Sequence, residues 1–206
     1  TSSTHDRTED GGEEDLWVKW GHIANDWENN WKKQNVQIRE LVRRGIPLHF
    51  RALVWQLLCG ATEALRKKLY AEYIKMPEEE AFAVLVKIME DFKMRDMFKP
   101  SMAELGLCMF QLENLVAEYL PDLNQHFQSQ NFHTSMYASS WFLTLFTTAL
   151  SLPLACRIMD VFLSEGMEII FKVALAMLTL GKEELMSLDM EGMLKGAINE
   201  VIVRVG

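Results

Sequence analysis

Cysteine is scarce. Cys59, Cys108 and Cys156 are the only three in 206 residues, all in apolar surroundings and none in a C-x-x-C pair. This excludes a disulfide framework and fits a reducing compartment. Positive charge is also short: 21 Lys and Arg stand against 29 Asp and Glu, a net of −8. Nucleic acid is therefore a poor partner, because its affinity for proteins comes largely from Lys and Arg on phosphates. No alternating apolar run closed by Asn-Gly or Asp-Gly is present, so hairpins lack support. Nucleotide and nucleophile signatures are missing as well: there is no Walker A loop, no G-x-G-x-x-G and no G-x-S-x-G. Of the five histidines, His5, His22, His49, His126 and His133, none pairs at i, i+4 with another His or a Cys, so zinc has no signature. No metal and no cofactor is expected.

What is present reads as helix. Hydrophobic residues are 49% and charged residues 24% of the chain, close to the soluble globular average. Residues 1–15 hold six acids against Arg7 and offer no apolar face. They are read as a disordered acidic lead-in, and the domain proper as 16–206. With no basic and no apolar block, the lead-in is not a signal peptide. The chain opens on Thr1 rather than Met, which reads as a fragment of something longer. Trp17 and Trp20, then Trp27 and Trp31, step at helical intervals and are read as core. A short helix over 35–43 ends at Arg44-Gly45 before Pro47. Further helices are expected over 48–59, over 62–73, and from Pro77 with Phe82, Leu85, Ile88, Met89 and Phe92 inward. Another is expected from Ser101 to Leu120 on Met102, Leu105, Met109, Leu112 and Val116. One opens at Thr134 or Ser135, two more stop at Gly166 and Gly181, and the last covers 189–203. The uncharged run Ser135–Cys156 is long enough to cross a bilayer. Its many Ser and Thr, Pro153 and lack of flanking basic clusters favour a buried helix and a turn.

A resemblance then emerges. Leu41-Val42-Arg43-Arg44-Gly45-Ile46-Pro47, followed by Arg51-Ala52-Leu53-Val54-Trp55, resembles the opening of a TBC domain, the Rab GTPase-activating family, whose first motif is R-x-x-x-W. Met76–Phe82, Phe98–Met102, Met136–Phe142 and Asp160–Gly166 resemble its C-terminal lobe, closest to the ecotropic-viral-integration-site branch. The likeness covers about 16–195. It implies an all-α TBC fold, a Rab GTPase as partner, a role in vesicle trafficking, and a cytoplasmic place peripheral to endomembranes, with no membrane span. It makes Arg51 and Trp55 structural motif residues.

The resemblance also implies a mechanism that this chain lacks the residues for. The family inserts an arginine from I-x-x-D-x-x-R and a glutamine from Y-x-Q into the GTPase site. Here no tyrosine (Tyr70, Tyr73, Tyr119, Tyr137) has Gln two residues on. Ile88-Met89-Glu90-Asp91-Phe92-Lys93-Met94-Arg95 brings Arg95 one residue late, in a helix already downstream of both fingers. The family carries its finger helices between the counterparts of Leu69 and Met76, where this chain has only Tyr70–Lys75. The reading is a TBC domain internally truncated near 70–76, with no catalytic residue of its own. By resemblance it is a Rab GTPase-activating (TBC) domain that binds a Rab GTPase but is catalytically incompetent; the alternatives are a helical module that binds a Rab or another partner without accelerating hydrolysis, and an unstable truncated isoform. Since nucleotide and magnesium belong to the GTPase, the chain is read as not itself an enzyme.

Overall fold

The computed structural model describes residues 10–60 and 78–194. All regular structure among them is helical. The chain divides into two units, 1–87 and 88–206.

In the first unit, α1 (Asp10–Asn25) and α2 (Trp27–Arg44) are followed by α3 (Leu48–Leu58), and α4 (Glu78–Glu90) closes it. Helix α1 starts at Asp10, inside the stretch read as a lead-in; residues 1–9 lie outside the described part. Helix α2 is longer than the 35–43 expected and breaks its helical geometry once, at Gln34 (φ −136°, ψ 29°). Ile38 and Val42 of α2, Ile46, and Val54 of α3 are buried with Trp20.

The tryptophans do not all go inward. Trp20 is fully buried, but Trp17 is 45% exposed and lies against His49 and Phe50 of α3, at ring separations of 5.4 and 4.9 Å. Trp27 and Trp31 are half-buried and stack on each other at 5.2 Å, with the Arg39 guanidinium 5.9 Å from the Trp31 ring centre. The i, i+4 step therefore brings two rings together on a helix surface, and a cation shares their face. On α4 the expected inward face is rotated. Phe82 and Leu85 are nearly half exposed, while Ala83, Val84 and Ile88 are buried. The expected helix over 62–73 and the join near 70–76 lie outside the described residues.

The second unit holds α5 (Met94–Met97), α6 (Ala103–Tyr119), α7 (Pro121–Ser129), α8 (Thr134–Thr144), α9 (Leu152–Glu165), α10 (Glu168–Met186) and α11 (Met190–Gly192). Helix α6 packs on α5, α7, α8 and α10, and α10 also packs on α7, α8 and α9. The apolar spacing explains why α6 is central. Leu105, Cys108, Met109, Leu112 and Val116 recur at three- and four-residue steps and are all buried. Met102 caps that helix in a left-handed conformation and is 49% exposed, so it does not join the face. Pro121 ends α6 as expected and also begins α7, where a proline at the first helical position loses no hydrogen bond.

Gly181 does not stop a helix. It is buried within α10, and Ile170, Ala174, Met177, Leu178 and Leu185 continue the inward stripe on both sides of it. A single glycine costs a helix about 1 kcal/mol, less than two buried leucines return at ~1.5–3 kcal/mol each. Gly166, with φ 81°, does end α9. The segment expected over 189–203 opens with the short α11, its backbone held by Gly192 N–H donating to Asp189 Oδ1 at 2.8 Å, and 195–206 lie outside the described residues.

The uncharged run is broken between α8 and α9. Leu145 (φ 47°) and Phe146 (φ 64°) are left-handed, and both side chains are buried. Such φ values are strained for side chains with a Cβ and persist only where packing imposes them. No described helix is long and apolar enough to cross a membrane.

Three cross-links tie α7 to the α10–α11 region: His126 Nε2 to Leu188 O at 2.8 Å, Lys182 Nζ to Asp122 Oδ2 at 3.0 Å, and Met190 N–H to Gln130 Oε1 at 3.2 Å. A carbonyl only accepts, so His126 must carry its proton on Nε2. Within α9, Asp160 is fully buried and accepts from Arg157 Nη1 at 3.1 Å. Arg157→Ala is expected to lower stability by about 2–3 kcal/mol, since a buried carboxylate loses a charged donor. Urea denaturation of the variant, with Arg157→Lys as the milder comparison, measures this.

Candidate functional site

The turn Arg43-Arg44-Gly45-Ile46-Pro47 joins α2 to α3, and each of its last three residues has a distinct task. Gly45 takes φ 138°, ψ 142°, a region that favours glycine, while its N–H closes α2 on Leu41 O at 3.0 Å. Ile46 is buried. Pro47 precedes the first turn of α3. The carbonyl of Gly45 accepts from Trp20 Nε1 at 3.1 Å, so α1 is pinned to this turn by the indole. The residue pattern alone could not pair Trp20 with Gly45, because 25 residues separate them.

Arg51 and Trp55 stand one turn apart on α3, as their spacing requires. Both are half-buried rather than buried, and both make interactions within the fold. Fully buried on the same helix is Val54.

The four downstream motif segments fall at helix ends and on helix faces. Of the first, Met76–Phe82, only the part in α4 is described. Phe98–Met102 forms the link from α5 to α6. Beside it the Lys99 ammonium sits 2.6 Å from Asp96 and holds that carboxyl below its usual range by hydrogen bond and charge. Met136–Phe142 lies in α8, with Tyr137, Ala138, Trp141 and Phe142 buried. Asp160–Gly166 is the end of α9 and carries the buried Asp160. These positions account for the motifs as packing and capping residues.

Arg95 is the nearest approach to a finger motif. It is exposed in the four-residue α5, separated from Ile88 by the end of α4 and by Lys93 in a left-handed conformation. The three motif positions therefore do not share one helix face. His126 lies in α7 while His133 precedes α8, so these two histidines do not share a helix either. Among the described residues, no three His, Cys, Asp or Glu are placed to hold a metal.

The chain matches the family described as RabGAP TBC domain over residues 59–205. An ecotropic viral integration site 5 ortholog of Drosophila melanogaster is 50% identical, over 94% of this chain and 32% of its own length. The Rab GTPase-activating protein eat-17 of Caenorhabditis elegans is 41% identical, over 92% of this chain and 28% of its own. The chain thus spans about a third of the curated relatives it matches. Both alignments are longer than the chain. The first runs over 257 positions, of which 94% of 206, about 194, are residues of this chain, leaving about 63 without a counterpart. The second runs over 252 positions against about 190 residues, leaving about 62. A crystal structure of a Chlamydomonas flagellar RabGAP TBC domain superposes with a TM-score of 0.67 over 97% of this chain and 94% of that one; at 20% identity the likeness shows the fold alone.

These names correct one expectation. The chain was expected to stand outside the enzymes because nucleotide and magnesium belong to the GTPase. Its relatives are named GTPase-activating proteins, and proteins that act by activating a hydrolytic reaction are enzymes by family.

The cysteines test the local environment. Burial, assisted by Glu104, raises the Cys108 thiol above its usual range, so it stays protonated at neutral pH. Cys59 is buried and Cys156 only partly so. Iodoacetamide at pH 7.5 is expected to label Cys156 first, and mass spectrometry of brief reactions reads the order. Gly45→Ala is expected to cost about 1–3 kcal/mol from the imposed φ alone, measured by thermal unfolding.

Proposed function

Because this chain belongs to the RabGAP TBC domain family, we propose that it binds a Rab-type GTPase, and that it accelerates GTP hydrolysis far less than its intact relatives do. The family match over 59–205 carries the first half of this reading. Two observations support the second. No tyrosine of the chain is followed two residues on by Gln, and no arginine completes I-x-x-D-x-x-R. About sixty positions of each relative have no counterpart here. We assign that missing length to a single segment near 70–76, the place where the resemblance puts the finger-bearing helices.

The chemistry sets the size of the effect. In phosphoryl transfer, an arginine supplied in trans offsets charge on the transferred group and is worth ~10³–10⁵ in rate, or about 4–7 kcal/mol of barrier. A glutamine that orients the attacking water adds to this. A helical scaffold without either group retains binding surface but loses the groups that act in the transition state alone. Arg51 and Trp55 are then residues that hold α3 in place. They do not reach the nucleotide. A cytoplasmic chain peripheral to endomembranes fits such a partner.

Single-turnover GTP hydrolysis over a panel of Rab proteins, with an intact ecotropic-viral-integration-site relative alongside, tests the reading. At least one Rab is expected to bind the chain, with hydrolysis ~10³-fold or more slower than with the relative. Hydrolysis matching the relative would contradict the second half, and no binding to any Rab would contradict the first. Trp55→Ala should lower the melting temperature, and Rab binding per folded molecule should stay unchanged.

A further inference from the structure

Among the buried side-chain nitrogen and oxygen atoms of the described residues, one lacks a hydrogen-bond partner, the hydroxyl of Tyr137. Tyr137 is only 7% exposed. An unserved buried hydroxyl costs a fold about 1–3 kcal/mol, so it calls for a reason. Its ring is fixed on three sides: stacked on Phe132 at 5.5 Å, tilted to Phe127 at 5.5 Å and edge-on to Trp141 at 5.3 Å. The hydroxyl therefore cannot swing away to find water elsewhere.

Tyr137 lines a cavity of about 140 Å³ between α6, α7 and the start of α8. That is close to the ~150 Å³ of an engineered cavity that takes up benzene, so a ligand of a few heavy atoms fits. The polar lining carries one formal charge, and it is negative. Glu113 supplies a carboxylate, Asn124, Gln128 and Asn131 supply amides that can donate or accept, and His133 and Thr134 complete the polar lining; Glu113 is the one carboxylate, and no Lys or Arg lines the space. Burial, above all, raises the Tyr137 phenol above its usual range, and the charge of Glu113, which lines the same cavity, raises it further. Thr134 is near enough to ease the ionised form, although no hydrogen bond of proper geometry joins the two. An anion would be repelled by Glu113, and a neutral apolar molecule would leave the acceptors unserved.

We propose that this cavity is a binding site for a primary alkylammonium group, held between the Glu113 carboxylate and the Tyr137 hydroxyl oxygen. The same chemistry comes from two sources, a small free amine or the side chain of a lysine on a partner protein. An ammonium brings three donors and one positive charge, which suits the carboxylate of Glu113 and the unpartnered oxygen of Tyr137. Aromatic walls also favour a cation. The proposal stands independently of Rab binding.

Titration of the full chain with n-butylammonium chloride, n-butanol and Nα-acetyl-lysine N-methylamide, followed by NMR of the Tyr137 ring, tests it. At least one of the two amines is expected to bind saturably, at least tenfold tighter than butanol. The tighter amine identifies the source. Glu113→Gln, at an exposed position, should weaken the amine tenfold or more. Tyr137→Phe removes the unserved oxygen and keeps the ring, so it should fold as well as the parent or better while binding the amine several-fold more weakly. Butanol binding as well as the amines, or amine binding unchanged in either variant, or no saturable shift at all, would show a site for water only and overturn the proposal.

Discussion

Five aromatic rings in succession hold the second unit together. Phe127 meets Phe132 at 5.3 Å, Phe132 stacks on Tyr137, Tyr137 meets Trp141 edge-on, and Trp141 leans on Phe146 at 5.7 Å. The column draws α7, the turn after it, and α8 into one packed body. Aromatic pairs of this kind are worth ~0.5–1.5 kcal/mol beyond the area they bury. Other features follow from it. Phe146 is fully buried in the column, which explains why the backbone there accepts two left-handed non-glycine residues. The run that looks long enough for a membrane is divided at that point, where the left-handed Leu145 and Phe146 turn the chain and bury both side chains. Tyr137 sits in the middle of the column, so its hydroxyl has no freedom to relieve itself.

Much of this was legible in the sequence where spacing and punctuation agree. The inward face of α6, its end at Pro121, the opening of α8 at Thr134 and the end of α9 at Gly166 all follow from local chemistry. The failures have physical causes. Gly181 looked like a stop because glycine is a poor helix former, but the apolar stripe on both sides outweighs it. On α4 the expected face holds at Ile88, while Phe82 and Leu85 stay exposed and the small Ala83 and Val84 are buried in their place. Helical spacing marks the tryptophans as one face and so as core, although Trp27 and Trp31 use that spacing to stack with each other at the surface of α2. Tyr137's missing partner could not be read from sequence at all, because it depends on what three helices leave open between them.

The family resemblance rests on the two kinds of residue that the structure explains best. Gly45, Ile46 and Pro47 are demanded by a turn that Trp20 closes from α1, and Asp160 is demanded by a buried ion pair. Both are constraints of folding, and they persist whether or not the domain does chemistry. The finger residues are of another kind. On the function proposed here they act in a partner's transition state. Under that proposal a chain keeps the structural motifs named above and lacks the groups that make the reaction fast.

That separation is tested most directly by restoring what is missing. The Drosophila relative has about sixty positions without a counterpart here; on the proposed reading they form one segment that carries both finger motifs, and grafting it between Leu69 and Met76 returns them to an otherwise unchanged chain. The account predicts that single-turnover hydrolysis by a bound Rab rises by ~10³-fold or more over the ungrafted chain, and falls back when the restored arginine is changed to alanine. A graft that folds and binds the Rab yet leaves the hydrolysis rate unchanged would contradict it.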